Sequence, residues 1–494
     1  MSTPEKELDA EAAEHSPPRS RPVPGRSWRP LIMRLHFYAG IFVAPFILIA
    51  ALSGGLYAVA PTLEDVVYRD LLHTDSAGPA LPVSEQIIAA QRERPDLTVD
   101  AVRPATEQGD TTRVMFTDTS LGESKRAAVF VDPATATPVG ESTVYGSSGS
   151  LPLRTWISEL HRTIHLGDTG RLYSELAASW LGVVALAGLY LWVERYRRQR
   201  QRAPERARLL SVDRTARGRG RTVNWHGAGG MWIVVGLLFL SVTGLTWSNY
   251  AGSNIGDMRT ALDWTTPAVT TDLGDSTGVT DGDHASHLGH DGAESVSSPS
   301  AVATNVGRVD GVLGTARGND ITGAVEAKIP SSDGTAFTVS ELREEWVFST
   351  DSIAIDGASD QVVDVQRFAD WPLAAKLTTW GVSLHMGVLF GMSSQLALLA
   401  LAVVLVTVIV RGYLMWFARR PARSTTARAG RPPSRGAFRR ISPVAAVGLV
   451  VVTVAVGWFV PLLGLSLLAF LAVDLVLGAR SRAAARTEAS RTPV

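Results

Sequence analysis

The 494-residue chain carries 47 basic and 47 acidic side chains, so its formal net charge is zero and we expect no nucleic-acid partner. It contains no cysteine, which excludes disulfides, cysteine-held iron–sulfur clusters, covalently attached c-type haem and thiol nucleophiles. Any metal or redox cofactor must therefore be held by His, Met, Tyr or carboxylate side chains. Hydrophobic residues make up 46% of the chain and lie in long runs, which is typical of a membrane protein.

Apolar runs and polar excursions divide the chain into segments. We predict a disordered cytoplasmic tail (1–29), a first span (30–60), a soluble excursion (61–150), and a short outer helix with a second span (151–194). There follow a basic loop (195–222), a third span (223–251), a low-complexity insert (252–300), a second excursion (301–376), and a short outer helix with a fourth span (377–417). A basic loop (418–441), a hairpin of a fifth and a sixth span (442–479) and a cytoplasmic tail (480–494) complete the chain.

The two excursions have the same pattern of a helix followed by strands. In the first, helical spacing covers Val83–Glu93 with Ser84 as its N-cap, and alternating runs at 99–102, 113–116 and 127–131 predict strands. In the second, a helix is predicted over 301–316 and strands over 324–329, 336–339 and 346–349. The predicted fold class is therefore an α-helical transmembrane bundle with two small extracytoplasmic α+β domains.

Loop charge predicts the orientation. Residues 195–221 hold eleven Arg against two acids, residues 419–440 hold eight Arg and no acid, and the tail from Arg480 is basic again. With six spans, all three segments fall on the side of the N-terminal tail. Because Lys and Arg accumulate in cytoplasmic loops, both termini are predicted to be cytoplasmic and both excursions to lie outside.

A histidine motif occurs twice with equal spacing. After His161 and after His385, a glycine follows at six residues, a second glycine at 27 and a tryptophan at 31. The segments that begin at His36 and at His226 also correspond, since each has a glycine four residues on and a Ser/Thr-Gly pair near position 17. We therefore predict a tandem duplication, which gives a duplicated four-helix core plus two extra C-terminal spans.

The duplication predicts that the histidines face each other in pairs. Parallel repeats are related by an axis along the membrane normal, so His36 should face His226 and His161 should face His385. Two facing imidazoles can hold a b-type haem, and ionisable residues in membrane helices are by default functional. The structural alternative is that each histidine caps a helix or binds a carbonyl near the interface.

The outer pair poses a problem of length. A single helix from His161 to Trp192 would extend roughly 46 Å over its 31 residues. The hydrocarbon layer measures only about 30 Å. We therefore expect His161 and His385 at or above the outer surface, on short helices that in the first half break at Gly167-Asp-Thr-Gly170.

The remaining histidines are weaker candidates. His165 has no counterpart, since Leu389 takes its place, and it is a possible second or alternative ligand on the helix face of His161. His284, His287 and His290 lie among acids in the insert and could bind zinc, copper or iron weakly, or belong to a solvated linker. No G-x-G-x-x-G follows a strand and no P-loop is present, so electrons would come from a partner protein or a quinol.

Several motifs carry a resemblance to a known family. Leu160-His161-Arg162, Ser174–Trp180, Thr243-Gly-Leu-Thr-Trp-Ser248, Leu384-His385-Met-Gly387 and Trp416 with Arg419-Arg-Pro421 resemble the PepSY-associated transmembrane proteins, also called iron-regulated or iron-uptake membrane proteins. The resemblance covers roughly residues 30–420 and implies a bacterial plasma-membrane protein of iron acquisition with two PepSY-like modules. It matches the four paired histidines, and some relatives are haem-containing reductases that remove iron from ferric siderophores.

Three functions are consistent with the sequence. The first is a di-haem transmembrane electron relay that reduces an extracytoplasmic ferric chelate and thereby acts as a ferric-siderophore reductase. The second is a non-enzymatic, membrane-anchored PepSY protein that binds or regulates a peptidase. The third is an iron or siderophore transport component, although no pair of short interrupted helices marks a midplane transport site.

The charge analysis gives a topology prediction. A reporter enzyme that works only outside the cytoplasm should be active when fused near Asp110 or near Asp333. The reason is that the Arg-rich loops hold the opposite ends of the spans in the cytoplasm. Paired fusions of a periplasmic and a cytoplasmic reporter at each position measure this. Activity of the cytoplasmic reporter at either position would reject the six-span arrangement.

Overall fold

The computed structural model describes residues 28–274, 298–332, 334–419, 433 and 441–489. The first half contains α1 (Arg29–Phe42), α2 (Ala44–Ala58), α3 (Ala60–Val67), α4 (Arg69–Leu72), α5 (Val83–Glu93), β1 (Thr98–Arg103), β2 (Thr112–Thr117), β3 (Lys125–Asp132), β4 (Thr137–Tyr145), α6 (Pro152–Thr163) and α7 (Gly167–Arg202). The second contains α8 (Gly218–Thr246), α9 (Tyr250–Ala261), α10 (Pro299–Val306), α11 (Val309–Gly318), β5 (Val325–Lys328), β6 (Phe337–Glu341), β7 (Ser352–Asp356), β8 (Gln361–Gln366), α12 (Leu373–His385) and α13 (Met392–Phe417), followed by α14 (Pro443–Phe459) and α15 (Pro461–Ala489).

Four to five helical segments of the described chain could cross a membrane. Helices α7, α8 and α13 and the first twenty residues of α15 are each long and apolar enough. Helices α1 and α2 form a fifth candidate as a pair bent by 61°. Helix α14 is apolar but has only 17 residues, or about 26 Å at 1.5 Å per residue. The multi-pass prediction is confirmed, and the sixth span stays a prediction.

A proline causes the bend in the first segment. Pro45, in the first turn of α2, has no N–H and its ring excludes the carbonyl four residues earlier. That carbonyl belongs to Ile41, and it accepts a hydrogen bond from the Tyr413 hydroxyl of α13 at 2.9 Å. The bond freed by the proline is thus replaced by one to a neighbouring helix.

The strands of both excursions form one antiparallel sheet. The strand order is β4-β3-β2-β1-β5-β6-β7-β8, with each half a four-stranded meander. The halves join where β1 pairs with β5, with Ala101 opposite Lys328 and Val102 opposite Ala327. The two modules predicted from the sequence therefore share a sheet, because each meander has an edge strand with unpaired backbone groups and the two edges satisfy each other.

Helices α5, α10 and α11 cover one face of this sheet over a continuous apolar core. The carboxylate of Asp310, on α11, accepts hydrogen bonds from the backbone N–H groups of Val83 at 2.7 Å and Ser84 at 3.2 Å. The predicted N-cap role of Ser84 is wrong, since Pro82 is the N-cap residue. The start of α5 is instead held by a side chain from the other half, about 230 residues away.

Two further sequence predictions differ from the structure. Residues 346–349 are not a strand: Trp346 has a left-handed φ of 63° and its ring packs against Phe390, 5.2 Å away, in the turn before α13. The helix predicted over 301–316 is two helices, α10 and α11, separated at Gly307 and Arg308. The remaining predicted strands of both excursions are confirmed within a few residues.

A buried charge cluster links the two halves of the sheet. Glu326 on β5 accepts hydrogen bonds from Arg103 on β1 at 2.7 Å and from Arg126 on β3 at 3.0 Å. Burial acts to raise the pKa of Glu326, but the two guanidinium groups outweigh it and the net shift is downward. Each arginine has further acceptors, since Arg126 also donates to Asp100 and Arg103 donates to the carbonyls of Ser147 and Ser148.

Replacing Glu326 by Ala should destabilise the sheet by about 3–5 kcal/mol, since it removes the carboxylate that two largely buried guanidinium groups share. The contribution of Glu326 is fully present above its unfolded-state pKa near 4.5 and is lost as the pH falls through the lower folded-state value. Protease resistance of the purified full chain, measured between pH 7 and pH 3, checks both effects. Glu123→Ala, at an exposed position, is the control. Equal protease resistance of the two variants would contradict the prediction.

Candidate functional site: two histidine pairs

The core of the membrane part is a ring of four helical segments. Helix α7 packs on α8, α8 on α13, α13 on α2, and α1 and α2 pack back on α7. Two shorter helices, α6 and α12, lie against α2 and α8 respectively. The ring places helices from both halves of the chain in contact with one another.

The first histidine pair lies at the end of the ring nearest the Arg-rich loops. His36 on α1 and His226 on α8 face each other with ring centroids 6.2 Å apart and planes at 78°. The Nδ1 of His36 lies 3.1 Å from the Val184 carbonyl of α7, and the Nδ1 of His226 lies 2.8 Å from the Val408 carbonyl of α13. Since a carbonyl can only accept, each Nδ1 is protonated and donates.

Glycines make these helical carbonyls accessible. Gly188 and Gly412 lie four residues after Val184 and Val408, about one helical turn further along the same helix. A Cβ at Gly188 would lie 3.0 Å from Cε1 of His36, and one at Gly412 would lie 3.6 Å from Cε1 of His226. Both glycines therefore face an imidazole of the neighbouring helix, and the contact at Gly188 is the tighter of the two.

The second pair lies toward the sheet. His161, in the last turn of α6, has its Nδ1 3.0 Å from the Ser53 hydroxyl, and His385, the last residue of α12, has its Nδ1 2.6 Å from the Thr243 hydroxyl. These rings are near enough for a charge on one to act on the other. The edge of the Trp247 indole packs on His385 at 5.1 Å.

The hydroxyl partners fix the tautomer of the second pair as well. Ser53 donates its proton to the Ile49 carbonyl, and Thr243 donates to the Phe239 carbonyl, each at 2.8 Å within its own helix. With their protons committed, both hydroxyls accept from the imidazoles. In the described part of the chain, each of the four imidazoles makes a hydrogen bond through Nδ1. In that tautomer the Nε2 atom carries a lone pair that is able to bind a metal.

The two pairs lie at opposite ends of the apolar layer. Thr243 follows His226 by 17 residues on the same helix, a rise of about 26 Å. The separation is close to the roughly 30 Å thickness of the hydrocarbon.

The chain folds back to place His161 at the level of Ser53. Helix α6 ends at Thr163, Ile164 and His165 are left-handed at φ 44° and 56°, and α7 begins at Gly167. The predicted break is confirmed a few residues early. Gly170 is required for this reversal, since a Cβ there would overlap the Thr163 carbonyl. Because the chain reverses, His161 packs beside α2 rather than extending away from the bundle.

His165 does not join the pair. Its left-handed backbone takes it out of the helix, so the assumption that it shares a helix face with His161 is wrong. Its ring packs on Trp156 at 4.9 Å, and its Nδ1 lies 3.6 Å from the Glu159 carboxylate. His284, His287 and His290 lie outside the described residues, and the described ranges hold no group of three or more His, Asp or Glu that could bind a metal.

Four partner groups of the histidines were not assigned from the sequence: the Ser53 and Thr243 hydroxyls and the Val184 and Val408 carbonyls. The sequence did contain a signal for the two hydroxyls. Ser53 follows His36 by 17 residues, and Thr243 follows His226 by the same number. Every residue has a backbone carbonyl, so the residue type does not show which carbonyl accepts a hydrogen bond. In the sequence, only the glycine four residues later marked the positions of Val184 and Val408.

The fold and the site define a multi-pass helical membrane protein whose core carries two histidine pairs and whose extramembrane part is an eight-stranded sheet. Residues 33–419 match the model of the PepSY-associated TM region, and the chain belongs to that family. The family expectation from the sequence is thereby confirmed. No curated protein matches this chain.

The residues present fit a group held between two imidazoles. Metal–imidazole bonds of about 2 Å, with each ring centre about 1 Å behind its nitrogen, require centroids about 6 Å apart. The observed 6.2 Å between His36 and His226 meets this requirement. Gly54, where a Cβ would lie 3.0 Å from Cε1 of His161, gives the second pair the same kind of cradle.

The glycine cradles give a stability prediction. Gly188→Ala should destabilise the protein by about 1–3 kcal/mol, because the added Cβ displaces His36 and leaves a buried N–H without its acceptor. Gly412→Ala, in the equivalent position but with 0.6 Å more room, should be neutral or slightly stabilising. Apparent melting temperatures in detergent measure both variants. Equal melting temperatures would show that the His36 contact does not constrain the packing.

Proposed function

We propose that this protein is a transmembrane electron-transfer protein that holds two b-type haems and reduces ferric iron or ferric siderophores outside a bacterial plasma membrane. The observation that carries the proposal is the His36–His226 pair, with centroids 6.2 Å apart and both Nδ1 atoms bound to carbonyls. A structural role as helix caps would need only the Nδ1 bonds and gives no reason for the imidazoles to face each other.

Each histidine pair has a defined task in this proposal. His36 and His226 hold the inner haem and His161 and His385 the outer one. Donation from Nδ1 to a carbonyl or hydroxyl fixes the ring orientation and increases the basicity of Nε2. A bis-histidine haem supplies one-electron exchange without proton transfer.

The bundle between the pairs keeps water away from the electron path. Its core is formed by buried apolar side chains of the four segments, among them Ile47, Trp180 and Leu237. Trp180, eight residues from Gly188 on α7, covers the side of the bundle toward α15, where its indole N–H donates to the Ser466 hydroxyl at 2.9 Å. An apolar interior of this kind lowers the dielectric constant around the haem sites.

The loop charge supports an orientation of the protein in the membrane. With the Arg-rich loops on the cytoplasmic side, His36 and His226 would hold the haem that accepts an electron from a quinol or a cytoplasmic reductase. His161 and His385 would hold the haem that supplies the electron to a ferric chelate on the side of the sheet. One electron converts Fe(III) to Fe(II), which binds hard oxygen ligands more weakly and is released from the chelate.

Haem stoichiometry tests the proposal. Protein purified from haem-replete cells should carry two b-type haems per chain, both six-coordinate and low-spin, by pyridine haemochrome analysis and optical spectra. His385→Ala should retain one haem, since the inner pair is untouched. In sealed vesicles, the variant should lose reduction of an external ferric chelate, followed with a ferrous-specific chromophore. A preparation with no Soret band would favour the non-enzymatic peptidase-binding or transport functions.

His165 is the matched control. His161→Ala should abolish the six-coordinate spectrum of the outer haem and external iron reduction. His165→Ala should keep the haem, because that imidazole lies against Trp156 and Glu159, with at most a changed potential or rate. The opposite result would place the outer ligand at His165.

A further inference from the structure

The C-terminal hairpin of α14 and α15 lies against the outside of the helical ring. It follows residues 33–419, so it is not part of the region that matches the family. Helix α14 has no buried residue, whereas α15 packs on α7 and on α9. The hairpin therefore meets the ring mainly through α15.

One face of α15 is turned toward the ring. Ser466, Phe470 and Asp474 follow one another at intervals of four residues, so they lie on the same side of the helix. The Ser466 hydroxyl accepts a hydrogen bond from the Trp180 indole of α7 at 2.9 Å. The next two residues of this face reach α1 instead. Helix α15 therefore crosses the seam between α7 and α1.

Two contacts join α15 to α1 in antiparallel register. The Phe470 ring lies 5.2 Å from the Tyr38 ring, and the Asp474 carboxylate forms an ion pair with the Arg34 guanidinium. The Arg34 guanidinium also packs on the Tyr38 ring at 5.4 Å. The Arg34 side chain is only 8% exposed, so this ion pair is enclosed between the two helices.

The contacts with α15 lie on the opposite face of α1 from His36. Residues two apart on a helix are rotated by about 200° from each other, and His36 lies midway between Arg34 and Tyr38 in the sequence. Helix α1 presents His36 to His226 on one side and Arg34 and Tyr38 to α15 on the other. It therefore lies between the inner histidine pair and the hairpin.

Helix α1 needs such a contact because its connection to α2 is bent. The two helices meet at 61°, and Pro45 interrupts the helical hydrogen bonds at the junction. The direction of α1, and with it the position of His36, consequently depends on the helices that pack on its sides.

The charge of Arg34 makes this dependence stronger. A guanidinium on the outer face of a spanning helix is costly in hydrocarbon. Without Asp474, the Arg34 side chain would extend toward the lipid headgroups, and α1 would shift with it.

We propose that the C-terminal hairpin is a clamp that positions His36. Helix α15 holds α1 against the ring through Asp474 and Phe470, and so keeps the His36 imidazole opposite His226. Asp474 is then a positioning residue, which acts on the inner site through Arg34 and α1. The inference rests on the proposed function where it concerns the inner haem.

Spectroscopy of the full-length protein in lipid nanodiscs tests the clamp. Asp474→Ala should lose the six-coordinate low-spin spectrum of the inner haem, because His36 moves away from the iron. It should keep the spectrum of the outer haem, which also shows that the chain is folded. Arg34→Leu with Asp474→Leu should restore the inner spectrum, since apolar side chains can replace a buried ion pair.

Ser466→Ala is the matched control on the same helix. It removes a contact of α15 with α7 rather than with α1, so both haem spectra should be retained. A loss of the inner spectrum in this variant would mean that any weakening of the hairpin has the same effect, and the specific role of Asp474 would be wrong.

A second measurement needs no haem. The chain has no cysteine, so His36→Cys with His226→Cys creates a unique pair that a short bifunctional maleimide can link. Mass spectrometry of the linked peptides gives the crosslinked fraction in haem-free, full-length protein. Adding Asp474→Ala should lower that fraction, and adding Ser466→Ala should leave it unchanged.

The outcomes separate the two proposals. If the wild-type protein binds no haem, the proposed function fails and the crosslinking decides on the clamp. If Asp474→Ala keeps both six-coordinate spectra and an unchanged crosslinked fraction, the hairpin only anchors the chain and the inference is overturned. The inference is also overturned if Arg34→Leu with Asp474→Leu does not restore the inner spectrum, because Asp474 then does not act through Arg34.

Discussion

An N–H group inside an apolar helix bundle has no water to bond, so its acceptor must come from the protein. This constraint determines much of the core. Each of the four imidazoles donates from Nδ1 to a carbonyl or hydroxyl of a spanning helix. Helices can approach closely enough for these bonds only where a residue is small, and Gly54 and Gly188 lie at two such contacts. Satisfying the Nδ1 atoms thus fixes both the packing of the helices and the direction of Nε2.

The same requirement continues outside the bundle. Strands β1 and β5 would be sheet edges in separate modules, and their pairing removes both edges. Glu326 and Asp310 then provide partners across the junction for buried guanidinium groups and for the start of α5. The aromatic contact of Trp346 with Phe390 links the sheet to the turn that follows His385. The sheet and the outer histidine pair are therefore mechanically connected.

Much of this arrangement could be predicted from the sequence. Long apolar runs placed the spanning helices, and equal spacings selected the four histidines and their glycines. The prediction failed where partners come from far along the chain. Residues 346–349 have the composition of a strand but pack as a loop on Phe390. Ser84 has the residue type of a cap, yet Asp310 takes that role. His165 was assigned to a helix that ends two residues before it.

The sequence by itself determined the class of protein, the candidate histidines and their expected pairing, because hydrophobic length and repeat spacing are local properties of the chain. Only the tertiary structure showed that His36 faces His226 at 6.2 Å, that Ser53 and Thr243 receive the outer imidazoles, and that the two excursions share one sheet. The physical reason is that backbone carbonyls, edge strands and helix faces acquire partners only when segments hundreds of residues apart pack together. Residue type alone does not specify which of them will meet.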